Sequence, residues 1–339
     1  MTIRYKFSAT LAVTAATLAL PAGAATFLKL DAFPPGTTPG QVHVALATIV
    51  QKHTPIKIQV STGKPATKSA VDAANQRVDL FLTAASINHF MQKGVAMFAK
   101  VKNAKELNAN LRALFNFPLG PYHIITYADS GITSLKDIKG KKVFLGPPAG
   151  AATKVMAQVV EGATGYKPGT DYQAMRFDWS AAETAFIDRQ MDVYIVPTNA
   201  PAPQVQQFAL NNKLRFLSIP DAAFDSPQVK AALNLPGRTI ETIKPGTYKN
   251  QVNDKPVKTV GSWVGIGTHK WLDEKTVYEI TKAFWDNLKE IHATAEWMKV
   301  INPESAMNQV NIPLHVGAYK YYKEKGWKIP ASIVPPEAK

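Results

Sequence analysis

Ile56-Lys57-Ile58-Gln59-Val60-Ser61-Thr62-Gly63, a helical run from about Thr67 to Arg77, and then Val78-Asp79-Leu80-Phe81-Leu82-Thr83 spell strand, turn, helix and strand. The second strand is an apolar run with one aspartate at its start, rich in β-branched and aromatic residues, as buried parallel strands are. The same grammar returns about a hundred residues later. Tyr172 to Phe177 leads into Asp178-Trp179-Ser180, a helix ending in Asp188-Arg189-Gln190, and Met191-Asp192-Val193-Tyr194-Ile195-Val196. Two βαβ units at this separation predict two α/β lobes of similar build.

A third entry of this kind is Lys142 to Gly146, followed by Pro147-Pro148-Ala149-Gly150 and an Ala-rich helix from Ala151 to Ala163. Ser180 with Glu183, and Ser134 with Asp137, have the spacing of capping boxes. The last third reads differently. Leu272 to Ile291 is predicted as one long amphipathic helix, with Val277, Ile280, Phe284, Leu288 and Ile291 at helical spacing. A shorter helix runs from about Leu314 to Lys325. Extended runs at Tyr122 to Tyr127 and Val257 to Ile266 are candidates for crossings between the lobes. That gives a first lobe over 25–125, a second over 126–262, and a return to the first over 263–339.

The chain begins like an exported protein. Arg4 and Lys6 precede a short apolar stretch, Ala9 to Leu20; Pro21 breaks it, and Ala22-Gly23-Ala24 supplies a small-x-small cleavage site. The apolar stretch is short of the roughly 20 residues a membrane span needs. A mature chain starting at Ala25 is therefore expected to be soluble in the periplasm. It has no cysteine, so it carries neither disulfides nor a lipid-bearing N-terminal cysteine. The formal charge is +14; without Arg4 and Lys6, 37 basic residues remain against 25 acidic ones, or +12. The lysines are dispersed singly and in pairs, with no basic block interleaved with aromatics, which argues against nucleic acid and leaves an anionic ligand as a reading.

Two glycine-bearing helix starts draw notice: Gly36-Thr37-Thr38-Pro39-Gly40 before the helix Gln41 to Lys52, and Gly146 to Thr153 before the Ala-rich helix. Free N–H groups of a first helical turn receive carboxylate or phosphate readily, and one such end per lobe would grip an anion from both sides. Ordinary βα loops share this composition. Enzyme signatures are missing: there is no G-x-S-x-G, no G-x-x-x-x-G-K-[ST] and no G-x-G-x-x-G, and the seven histidines lack metal-ligand spacing. No catalytic residue, metal or cofactor is expected. Asp79 and Asp192 read as carboxylates that cap neighbouring backbone N–H groups.

Ile312-Pro313-Leu314-His315-Val316-Gly317-Ala318-Tyr319-Lys320-Tyr321-Tyr322 resembles the closing motif of the TAXI family, solute-binding proteins of one class of TRAP transporters. Val277 to Trp285, Pro245-Gly246-Thr247-Tyr248, Val260-Gly261, Ser134 to Val143 and Gly146-Pro147-Pro148 follow that family in order, covering most of residues 110–330. The resemblance implies a two-lobed α/β clamp of the periplasmic-binding-protein class, type II-like, with the ligand cleft between the lobes. It also implies a small carboxylate such as glutamate, 2-oxoglutarate or a dicarboxylate, and TRAP membrane subunits as partners. The binding protein of an ATP-driven importer or of a sensor is the alternative on the same fold, and an enzyme the more distant one.

The chain departs from the family at its ligand loops, where Thr62-Gly63-Lys64-Pro65, Thr83-Ala84-Ala85-Ser86 and Ala149-Gly150-Ala151-Ala152-Thr153 stand. The candidate ligand residues are Thr37, Thr38 and Gln41 in the first loop and Lys64 and Lys68 in the second. Thr83 follows the first buried strand, and Gly150 and Thr153 open the Ala-rich helix. Trp179 is a cleft wall or a packing residue, and Thr198 and Asn199 are donors after the second buried strand. Lys64 and Lys68 would replace neutral donors with positive charge, or simply face solvent.

Overall fold

The computed structural model describes residues 26–338; the export signal and its cleavage site lie outside the described residues. The first repeat is β1 (Phe27–Ala32), α1 (Thr38–His53), β2 (Lys57–Thr62), α2 (Ala66–Ala74) and β3 (Leu80–Ala84). β1 lies between β2 and β3 and is parallel to both. After α3 (Ala85–Lys93) and α4 (Ala104–Ala109) comes the long strand β4 (Leu111–Tyr127). The second repeat is β5 (Lys142–Phe144), α5 (Ala151–Thr164), β6 (Gln173–Ala174), α6 (Trp179–Ile187) and β7 (Val193–Pro197), and β5 again lies between its two parallel neighbours.

The two predicted Asp clips form in the same way in both lobes. Asp79 accepts from the backbone N–H of Lys29 at 2.7 Å, and Asp192 from that of Lys142 at 2.7 Å. In each case the aspartate's own N–H donates to the same lysine's carbonyl. One carboxylate thus fixes the register between the first and last strands of each repeat.

The chain continues through α7 (Pro203–Ala209), β8 (Leu214–Phe216), α8 (Pro227–Leu233) and β9 (Arg238–Ile243) to β10 (Val257–His269). β10 pairs antiparallel with β3 and with β4, so the strand order is β2-β1-β3-β10-β4-β7-β5-β6, with β8 against β4 and β9 against β10. β4 and β10 are the predicted crossings, and both serve the two halves of the sheet. One hydrophobic core draws on residues between 28 and 119 and between 264 and 333, joined by Ala151; two more draw on residues between 122 and 260. Two α/β lobes joined by a two-stranded ribbon result. No helix among the described residues is long and apolar enough to cross a membrane.

The C-terminal third closes the first lobe with α9 (Glu274–Asp286), α10 (Leu288–Thr294) and α11 (Val316–Glu324). The single helix expected over Leu272 to Ile291 breaks at Asn287, whose side chain donates to the Ala283 carbonyl at 2.7 Å while its backbone leaves the helical region. The box expected at Ser180 also fails: Asp178 takes the cap and accepts from the Ala181 N–H at 2.8 Å, leaving Ser180 inside the first turn. The Ser134–Asp137 box forms over the short 3-10 turn Leu135–Ile138. The strand expected over Tyr172 to Phe177 shrinks to Gln173–Ala174, because at the sheet edge only Lys142 and Val143 offer it partners.

Candidate ligand-binding cleft

The ribbon places a cleft between the lobes. Phe33, Leu82, Ile87 and Leu119 line it from the first lobe, Tyr122 and Val264 from the ribbon, and Gly150, Ala151 and Trp179 from the second. The cleft is partly open to solvent, with an interior space of about 50 Å³. The lobes meet closely enough that Ala151 packs into the first lobe's core.

One cation enters this apolar space. Arg238 opens β9 directly after Gly237, whose positive φ (+76°) turns the chain onto β10. Its Nη1 donates to the Tyr122 hydroxyl at 2.9 Å and its Nη2 to the Ser86 hydroxyl at 3.2 Å. The guanidinium also sits 5.6 Å from the centre of the Tyr122 ring. Nε is buried with no hydrogen-bond partner, and among the described residues no carboxylate pairs with this arginine. A guanidinium held only by neutral hydroxyls keeps its full charge for an incoming anion. No Asp, Glu, His or Lys joins Arg238 in the lining.

The two predicted helix ends part company. The α1 end is fully engaged. Thr37 caps it, accepting from the Gly40 N–H at 3.3 Å and donating to the Pro34 carbonyl at 2.7 Å. The Thr38 N–H donates to the Thr198 hydroxyl of the other lobe at 3.0 Å, and Pro39 has no N–H to offer. Thr38 donates its hydroxyl proton to Asn199 Oδ1 at 2.6 Å and accepts from the Asn199 N–H. With that proton committed, the 3.1 Å contact between the two threonine hydroxyls is Thr198 donating to Thr38. The expected ligand donors Thr38, Thr198 and Asn199 therefore satisfy one another as a latch between lobes, while Thr37 is used within its own loop. The Gln204 N–H adds a bond to the Gly36 carbonyl at 3.2 Å, and Thr67 donates to the Ala149 carbonyl at 3.2 Å. Gly120 permits the latch: its φ is +93°, and a Cβ there would stand 2.7 Å from Asn199 Cα.

The α5 end is different. Its N-cap Gly150 supplies no side-chain cap, and Gly150 and Ala151 face the cleft. Thr153 turns away, donating to the Pro147 carbonyl at 2.6 Å. Trp179 lines the cleft, its ring centred 5.7 Å from that of Phe33 and 5.5 Å from that of Phe144.

The remaining expected residues lie outside the cleft lining. Lys64 donates to Asp31 at 2.9 Å and Asp72 at 3.3 Å, and the bond to Asp31 holds its ammonium above the usual lysine range. Its charge neutralises a buried carboxylate instead of facing a ligand. Lys68 is exposed at the surface of α2. Gln41 accepts from the Trp297 indole at 2.6 Å, and Thr83 exchanges bonds with Asn88 beneath the sheet. The sequence reading missed Arg238, Tyr122 and Ser86. Only Pro236-Gly237-Arg238, a turn ending in a lone arginine, marked the spot.

Among the described residues no three His, Cys, Asp or Glu side chains gather as a metal site. The profile of the NMT1-like family matches residues 35–326. A periplasmic transporter of known structure is similar to the chain at 15% identity, over 90% of this chain and 96% of that one, with a TM-score of 0.51. It shares the two-lobed fold. A TRAP periplasmic solute-binding protein from Ralstonia eutropha H16, solved with (S)-2-acetolactate, aligns at 10% identity over 92% and 88% of the two chains, with a TM-score of 0.45. The alkanesulfonate-binding protein from Xanthomonas axonopodis pv. citri, bound to MOPS, aligns at 13% over 92% and 97%, with a TM-score of 0.47.

Proposed function

The chain belongs to the NMT1-like family, and on that footing we propose that it captures a small carboxylate outside the cytoplasm and presents it to a TRAP-type membrane transporter. The observation that carries the reading is Arg238, a guanidinium without a carboxylate partner in an apolar cleft between two lobes. The guanidinium is half-buried and lacks a counter-charge, which a bound carboxylate would supply. The uncapped start of α5 faces the same space and adds backbone N–H donors.

Capture is favoured over turnover by the composition of the lining. Its hydroxyls belong to Thr67, Ser86, Tyr122 and Ser262, and no carboxylate or imidazole stands beside them to act as a base. The latch between Thr38 and Thr198–Asn199 supports a clamp that closes by its own contacts. The export signal and the resemblance of the closing motif support the periplasmic location and the TRAP partner.

The test is native mass spectrometry of the protein isolated from the periplasm, followed by denaturation. A small acid should be released. Recovery of a neutral sugar or an amine in its place rejects the assignment.

A further inference from the structure

We infer that the cleft selects a single acidic group on a short apolar body, and discriminates against the dicarboxylates that the sequence resemblance implies. The inference rests on the reading of the cleft as a carboxylate site and narrows its ligand class.

Charge comes first. Arg238 is the one cationic side chain in the lining. The lysines expected to add charge do not reach it, since Lys64 is paired with Asp31 and Asp72 and Lys68 is exposed. The α5 end contributes the equivalent of roughly half a positive charge from neutral amides. Arg238 and that helix end line the same cleft, and their combined charge matches a single carboxylate.

The walls and the space give the rest. Beyond Arg238 the ligand meets Phe33, Leu82, Ile87, Leu119 and Val264. A second carboxylate placed there would lose its water and find no cation, which is far more costly than burying a methyl group. Thr67 and Ser262 have committed their protons to the Ala149 and Trp263 carbonyls, and the two hydroxyls that keep a proton, Ser86 and Tyr122, both sit on Arg238 and serve the same carboxylate it holds. The interior space of about 50 Å³ suits a short ligand body.

Isothermal calorimetry on the full mature chain tests this with 3-methylbutanoate and 4-methyl-2-oxopentanoate against succinate, glutamate and 2-oxoglutarate, with 3-methylbutanamide as the uncharged control. At least one apolar monocarboxylate should bind ten-fold or more tightly than every dicarboxylate, and the amide at least a hundred-fold more weakly than the acid. A dicarboxylate that binds as tightly as the best monocarboxylate overturns this inference and leaves carboxylate capture standing. Equal binding of the amide, or no binding of any of the five acids, overturns both.

Discussion

Replacing Arg238 by methionine keeps an unbranched apolar stem and removes the guanidinium. In the native cleft Nη1 and Nη2 each have one neutral partner, Tyr122 and Ser86, while Nε has none. A carboxylate binding here gains at least one charge-assisted hydrogen bond, worth about 1.5–3 kcal/mol. At 1.4 kcal/mol per decade, Arg238→Met should weaken binding of the cognate acid by about one to two powers of ten. Arg238→Lys keeps the charge and loses the fork, so its loss should fall between wild type and methionine. The fold should tolerate both changes, because no ion pair depends on Arg238 and only two hydroxyls lose a donor. The assay is calorimetry with a thermal melt of each variant at two salt concentrations. If Arg238→Met melts like wild type and binds the acid within three-fold of it, the arginine does not hold the anion.

Other consequences are equally direct. Thr38→Val removes the hydroxyl that joins Asn199 and Thr198 across the lobes; with neutral hydrogen bonds worth about 0.5–1.5 kcal/mol each, the clamp should open more readily. X-ray scattering should report a larger radius of gyration, and an unchanged profile would sink the latch. Lys64→Met should leave ligand affinity unchanged and lower the melting temperature, since the buried Asp31 loses its counter-charge; a tenfold loss of affinity would return Lys64 to the cleft. Because that ammonium titrates above its ordinary 10.5, its contribution to stability is full below that pH and is lost on further alkalinisation through the raised value. In acid, burial depresses His43 and His123 to about 3 and His315 to about 4, so the unfolded chain takes up protons first as the pH falls below 6.5. Stability should decline from there toward pH 4, by up to about 1.4 kcal/mol per pH unit for each histidine. A flat chemical-denaturation midpoint across that range would contradict the burial of these rings.

The repeat architecture was legible because its signal is local. An apolar run bearing one aspartate needs a parallel neighbour with a free N–H, and both Asp79 and Asp192 found one. The segment Ile312 to Tyr322 serves packing: the Tyr322 hydroxyl donates to the Leu114 carbonyl at 2.8 Å and accepts from Trp285 at 3.0 Å. The His315 ring donates through Nε2 to the Leu272 carbonyl and accepts the Gly317 N–H at Nδ1.

Ligand residues were harder to read, because glycine-threonine loops at helix starts look alike whether they bind an anion or the facing lobe. Thr38 meets Thr198 across 160 residues of chain, and no spacing rule reports such a partner. Lys64 was hard to place for the same reason: Asp31, its main partner, lies 33 residues earlier on β1. Arg238 carries no motif at all. Its role comes from β9 pairing with β10, which sets an otherwise ordinary arginine against Tyr122 and Ser86.

The ribbon also has a kinetic meaning. β10 fills the slot between β3 and β4, so the first lobe's sheet stays divided until residues 264–269 arrive from beyond the second lobe. Closing a loop of that length costs entropy before any contact repays it, and such topologies fold slowly. The cores of the second lobe, drawn from residues 122–260, face no such delay. Refolding should therefore proceed in two phases that the tryptophans separate by position. Trp179 packs into the second lobe and should bury early, whereas Trp285 and Trp327, packed edge to face at 5.1 Å in the C-terminal cap, should bury late. In the interval, the half-built first lobe exposes the edge of β3 to any strand that can pair with it, which makes the last third of the chain its protection against aggregation.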